Sequence, residues 1–210
     1  MNTERKFPID EIKSAEQYAD QYFSHLRLAA QDVDRAALAR GVTLVEKTIL
    51  SGGTIYSFGN GGSAAISNHL LCDFAKGIQT DTVLRPKIVS LSSHVELLLA
   101  IGNDLSFEDI FQFQAATWAR PGDLLMAISS SGNSENIVRT LQWAKANGVA
   151  TLALTGFDGG RAMVIADVSI HVASANYGVI EDIHQSIMHL FAQYIRQKHM
   201  DGISISTRKF

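Results

Sequence analysis

A single cysteine, Cys72, occurs in 210 residues, which excludes an internal disulfide and fits a reducing compartment, the cytoplasm. Only three prolines interrupt the chain, so helices can run long. Basic charge is not in excess. Lys and Arg number 18 against 21 Asp and Glu, the net charge is −3, and no dense Lys/Arg cluster occurs, so no nucleic-acid partner is expected. No apolar run is long enough to span a bilayer, and the charged start, Met1 to Lys6, leads into no apolar stretch of signal-peptide type. No membrane association is therefore expected. Neither a Gly-Lys-Ser/Thr phosphate loop nor a dinucleotide fingerprint is present. With 46% hydrophobic and 19% charged residues, the chain can bury a full core as one domain over 1–210. That domain divides into a helical region 1–50, an α/β core 51–199 and a loose tail 200–210.

Strands and helices alternate through the core. Apolar spacing predicts helices over 9–30 and from Asp32 or Asp34 to about Ile49. A strand is expected at Thr54–Phe58 and a helix at Ala64–Ala75, followed by a loop over Lys76–Pro86. Lys87–Leu91 reads as the next strand. Ser92 and Ser93 are suited to cap a helix from His94 to Ile101, and Gly102-Asn103-Asp104 should break it. Phe107–Ala119 is helical, then a strand at Asp123–Ile128, a helix at Glu135–Asn147 and a strand ending at Leu154. A short helix over Arg161–Ile165, a strand at Val168–Val172 and a long helix from Val179 to His199 complete the core. The strands are apolar without a clean period of two, which argues a parallel sheet covered on both faces. Ligands of such sheets bind at the C-terminal strand ends.

Three polar loops follow strands directly. Gly59-Asn60-Gly61-Gly62-Ser63 opens a helix, where glycines admit a ligand to the backbone and free N–H groups favour an anion. Ser129-Ser130-Ser131-Gly132-Asn133-Ser134 offers hydroxyls and N–H groups before another helix, a phosphate cradle that needs no Lys or Arg. The third is Thr155-Gly156-Phe157-Asp158-Gly159-Gly160. Two turns beyond the first loop, His69 and Asp73 are four apart and share a helix face. On the last helix Glu181, His184, Gln185 and His189 are polar positions in an apolar stretch. Glu181 and His189, eight apart, share a face, and His184 is a rival partner for Glu181. Two histidines and two carboxylates suit Zn²⁺ or a similar divalent ion. Cys72 could replace Asp73 as a ligand, although its apolar neighbour Leu71 favours a packed core thiol. Nothing near His94 or His171 argues chemistry.

Taken together, these loops, Gly102-Asn103-Asp104 and the Glu181–His189 helix resemble the sugar isomerase (SIS) fold, and within it the bacterial phosphoheptose isomerases. The likeness runs from roughly residue 30 to 197. It implies a three-layer αβα sandwich with a central parallel sheet of about five strands, preceded by N-terminal helices. It further implies a homotetramer that interconverts sedoheptulose 7-phosphate and its aldose with the help of one Zn²⁺ per subunit. By that resemblance Asn60, Gly61, Gly62, Ser63, Asn103, Asp104, Ser129, Ser130, Ser131 and Ser134 hold the phosphosugar. His69, Asp73, Glu181 and His189 take the metal positions, and Asp73, His189 and Glu181 the acid–base ones. Two positions depart from the family pattern: Asp73 stands where the family has Glu, and Glu181 where it has Gln. The shorter Asp should displace its carboxylate by roughly 1.5 Å, and a misplacement of that order can cost about 10²-fold in rate. A second carboxylate should neutralise the metal and weaken it as a Lewis acid. These changes point to a rewired site, with an isomerase or epimerase of another phosphosugar and a non-catalytic phosphosugar-binding or protein-binding module as the alternatives.

Overall fold

The computed structural model describes residues 6–210. Its elements in chain order are α1 (Ala15–Asp32), α2 (Arg35–Leu50), β1 (Thr54–Gly59), α3 (Gly61–Cys72), β2 (Lys87–Ser90), α4 (Val95–Asp104), α5 (Ile110–Trp118), β3 (Leu124–Ser129), α6 (Glu135–Ala146), β4 (Ala150–Thr155), α7 (Gly160–Ile165), β5 (Val168–His171), α8 (Tyr177–His199) and α9 (Gly202–Thr207). A π-helical turn, Asp73–Ile78, extends α3, and a 3-10 turn, Phe107–Asp109, precedes α5.

All five strands are parallel, in the order β2-β1-β3-β4-β5. Their side chains alternate between two apolar layers, as the pleat requires. Ile55, Leu124, Met126, Ile128, Leu152 and Leu154 face the layer that also holds buried residues of α1, α2, α3 and α8. Tyr56, Phe58, Leu125, Ala127 and Ala153 face the layer built with α4, α5, α6 and α7. Both faces are apolar, which is why the strands show no polar–apolar alternation in sequence. The expected αβα sandwich around a five-stranded parallel sheet is present. Strand order reverses between β1 and β3, so the loops after these two strands open into the crevice where such sheets bind ligands.

Several local expectations are corrected. Helix α1 begins at Ala15 and not at residue 9, because the Ser14 hydroxyl accepts from Gln17 N (3.1 Å) and caps the helix there. Ser92 and Ser93 do not cap α4. Their hydroxyls donate instead to Gly59 O (2.9 Å) and Ser90 O (2.7 Å). Gly102-Asn103-Asp104 does not break α4 but forms its last turn, with Leu105 N donating to Ile101 O at 2.9 Å. A glycine costs little in that position, because the final turn already borders on the helix end. Part of the expected 76–86 loop is the π turn. The tail makes contacts with the core: Arg196 donates to Lys209 O (3.2 Å), its guanidinium lies 4.9 Å from the Phe210 ring, and Arg208 pairs with Asp81 (3.4 Å).

Glu46 ties α2 to the end of α8, accepting from Lys198 Nζ (2.7 Å) and lying 2.6 Å from His199 Nε2. Burial alone would raise its carboxyl, but the hydrogen bonds and charges of Lys198 and His199 outweigh burial and leave it lowered. A lowered carboxyl stabilises the fold above its unfolded-state pKa, and that contribution is lost as pH falls through the folded-state value. Urea unfolding of wild type and Glu46→Gln should therefore differ by about 1 kcal/mol at pH 7. The gap should close as pH falls through and below the carboxylate range; a gap independent of pH would contradict this reading.

Candidate active site

Helix α3 must lie hard against the sheet to place its N-terminus over the crevice, and small residues permit this. A Cβ at Gly59 would stand 2.7 Å from both Ile128 O and the Ser63 Cβ, so any side chain there would push the helix away. Beneath the helix, Ser67 Oγ lies 2.8 Å from the hydroxyls of Ser57 and Ser90, and Ser90 Oγ donates to Asn68 Oδ1 (2.6 Å). These buried hydroxyls tie α3 to β1 and β2 without bulk.

Asn60 stands at the N-cap of α3 yet makes no cap bond. Its amide instead exchanges two hydrogen bonds with Asn136 of α6, at 2.9 and 3.0 Å. Ser134 likewise stands before α6 without a cap bond. Two twelve-residue helices thus meet at the switch point with their N-termini uncapped by side chains, and the positive ends of both dipoles face one crevice. Ser129 Oγ accepts from Gly132 N (3.1 Å) and Ser131 Oγ from Asn133 N (3.3 Å), which shapes the second loop. Ser130 Oγ is buried and has no partner among the described residues. A buried hydroxyl left unpaired costs free energy unless a ligand satisfies it. Ser63 is buried as well. Asn103 and Asp104 are exposed at the end of α4 and hydrogen-bond to each other (2.7 Å). No hydrogen bond joins them to either loop among the described residues.

Two turns along α3, His69 meets His189 of α8, Nε2 to Nε2 at 3.3 Å. Asp73 Oδ2 lies 3.5 Å from His69 Nε2 and 3.3 Å from His189 Nε2. Asp73 opens the π turn, a rare geometry that recurs at functional sites. Despite its length, its carboxylate reaches both imidazoles, so the displacement expected from the missing methylene does not separate the group. Ligands about 2.0–2.1 Å from a tetrahedral metal stand about 3.3 Å apart. The spacing and the chemistry of these three donors therefore fit a divalent cation.

Glu181 does not join them. Its carboxylate lies against the first loop, where a Cβ at Gly62 would be 2.4 Å from its Oε2. Gly62 is seven residues, or about 10 Å, up the α3 axis from His69. Burial first, and the charge of Asp182 second, push the Glu181 carboxyl up. Asp182 accepts from the Tyr22 hydroxyl of α1 (2.6 Å), and burial together with that carboxylate raises the phenol strongly. His184 is not a partner of Glu181. It is wholly buried, its Nε2 lies 3.2 Å from Thr155 O, and burial pulls its pKa down to about 4, so it stays neutral. Cys72 is exposed, not packed in the core, and lies outside the trio. It sits two residues past buried Leu70, about 200° around the helix, on the opposite face. Sequence spacing did not single out Gln185, whose Nε2 is 3.1 Å from His189 Nε2. The available signals were its polar character in an apolar stretch and its place one turn before His189.

Comparison with known proteins gives a consistent picture. The family model for the SIS domain matches residues 12–156. Phosphoheptose isomerase of Rhodospirillum rubrum is 34% identical over 181 residues, covering 86% of this chain and 93% of that protein. The solved phosphoheptose isomerase of Neisseria gonorrhoeae superposes with a TM-score of 0.80 at 27% identity, covering 88% of this chain and all of that one. That of Francisella tularensis gives 0.81 at 26%, with the same coverage.

The second loop supplies a test. Gly132 has φ +63°, and a Cβ there would meet Gly159 O at 2.1 Å, where the two loops touch. Gly132→Ala should lower stability by about 1–3 kcal/mol and weaken binding of inorganic phosphate, measured by calorimetry. Unchanged phosphate affinity would contradict the role of this loop as an anion cradle.

Proposed function

The chain belongs to the SIS-domain phosphoheptose isomerase family, and from that premise we propose that it isomerises sedoheptulose 7-phosphate to D-glycero-D-manno-heptose 7-phosphate. The observation that carries this reading is a single helix with two functions. The N-terminus of α3 opens on the anion crevice, and His69, eight residues and about 12 Å further on, meets Asp73 and His189. That separation suits an extended sugar phosphate, with phosphate at the loops and the carbonyl end at the trio.

On this reading Asn60, Gly61, Gly62, Ser63, Ser129, Ser130, Ser131 and Ser134 surround the phosphosugar. Asn103 and Asp104 keep their family role only if another copy of the chain completes the site, which fits a homotetramer. Exposed Phe23 and Leu28 of α1 supply apolar material for such contacts. The whole of 1–210 then works as one SIS unit, placed in the cytoplasm by its lone cysteine.

Isomerisation moves one proton between neighbouring carbons. A base takes a proton from C1 of the ketose, the electron pair forms the C1–C2 double bond, and the C2 oxygen gains a proton to give an enediol. The O1 proton then leaves, C1 becomes the carbonyl, and C2 is protonated. The resemblance gives Asp73 and His189 the acid–base roles, and the Asp73 carboxylate keeps a second oxygen for the proton while Oδ2 faces the imidazoles. Glu181, beside Gly62 and with its carboxyl raised, is a further base. His69, Asp73 and His189 would hold a divalent metal, for which zinc suits the two imidazoles and the carboxylate, and it would supply positive charge to stabilise the developing oxyanion. The Glu181 carboxylate on the sugar side of the cleft is the feature that favours the second reading, an isomerase of a different phosphosugar with a hydroxyl placed to donate to it.

Incubation of metal-loaded protein with sedoheptulose 7-phosphate, followed by NMR, should show an aldose product and exchange of the C1 proton with solvent. Asp73→Asn should lower turnover by about 10²–10⁴-fold. Absence of any aldose signal with metal bound would move the assignment to the second reading.

A further inference from the structure

We propose that Gln185 supplies the fourth protein donor of the centre formed by His69, Asp73 and His189, at the place the family resemblance gives to Glu181. This rests on the metal reading of that trio. Three observations carry it. The Gln185 amide stands 3.1 Å from His189 Nε2, close to the 3.3–3.5 Å that separates the three members from one another. It projects from the same helix as His189, one turn earlier, and is half-buried in the α3–α8 seam. Glu181 is directed elsewhere, onto Gly62 of the glycine loop.

The chemistry follows from the head group. An amide carries a donor nitrogen and an acceptor oxygen on one planar unit, so a half-turn about its last side-chain bond exchanges them. With the His189 lone pair unshared, the nitrogen faces the imidazole; with a cation held by the trio, the oxygen turns to it. A neutral oxygen is also the better fourth donor. Two imidazoles, one carboxylate and one amide leave a divalent ion with net positive charge, whereas a second carboxylate would cancel it. Gln185 therefore restores the one-carboxylate, one-amide balance that Glu for Gln at position 181 would remove. Glu181 is left free to face the sugar.

Titration of the metal-free protein with Co²⁺, followed by visible d–d absorption and calorimetry, tests this without an activity assay. Gln185→Leu should weaken Co²⁺ binding by about 10–100-fold and alter the d–d band. Gln185→Glu should restore affinity, and Glu181→Gln should leave both readouts as in wild type. Circular dichroism and the melting temperature before metal addition identify any variant that fails to fold, and Gln185→Asn, which shortens the amide reach, then stands in for the leucine. Wild-type Co²⁺ affinity in a folded Gln185→Leu, or loss in Glu181→Gln instead, would overturn the assignment. His69→Ala separates the two levels. If it loses Co²⁺ while Gln185→Leu does not, only the Gln185 assignment fails. If it binds as wild type, the metal reading of the trio fails as well.

Discussion

The site depends on how closely α3 approaches the sheet. Gly59 leaves no room for a side chain between β1, Ile128 O and Ser63, and the Ser57–Ser67–Ser90 hydroxyls replace apolar bulk with short polar contacts beneath the helix. From that docking two consequences follow. The helix N-terminus is carried to the switch point between β1 and β3, and the far end of the same helix is laid along α8, where His69 can meet His189. A shift of α3 by an ångström would disturb both ends together. On the proposed reading, anion recognition and proton transfer are geometrically coupled, as catalysis by orientation requires.

The two ends of the cleft differ in charge. At the loops, helix dipoles and N–H groups favour a phosphate, and no lysine or arginine is needed. At the trio, two imidazoles and a carboxylate face one another closely enough to call for a cation or a shared proton. Glu181 lies between these regimes, on the loop side, its carboxyl raised by burial. Its charge opposes that of a phosphate, which argues that it faces sugar hydroxyls or the transferable proton rather than the phosphate oxygens.

Much of this was legible in sequence because it rests on short-range rules. Strand–loop–helix alternation gave the parallel sheet, both loops stood out by composition, and the i, i+4 relation of His69 and Asp73 held. What escaped depends on side-chain direction or on distant partners. An apolar pattern from Ile12 did not reveal that Ser14 would start α1. Glycine at 102 suggested a break, but a glycine in the last turn of α4 costs little. The π turn at Asp73 has no simple sequence signal, yet it is where the shorter carboxylate still reaches both imidazoles. Periodicity placed Glu181 on the face of His189 without showing that it would turn to Gly62, nor that Gln185 would take the position nearer the imidazole.

The central claim is that two histidines from separate helices, α3 and α8, converge to hold one divalent metal. X-ray absorption at the zinc edge on the zinc-loaded protein tests it most directly. The account predicts outer-shell scattering from two imidazoles with the remaining donors oxygen. A first shell of oxygens alone, without imidazole scattering, would contradict it.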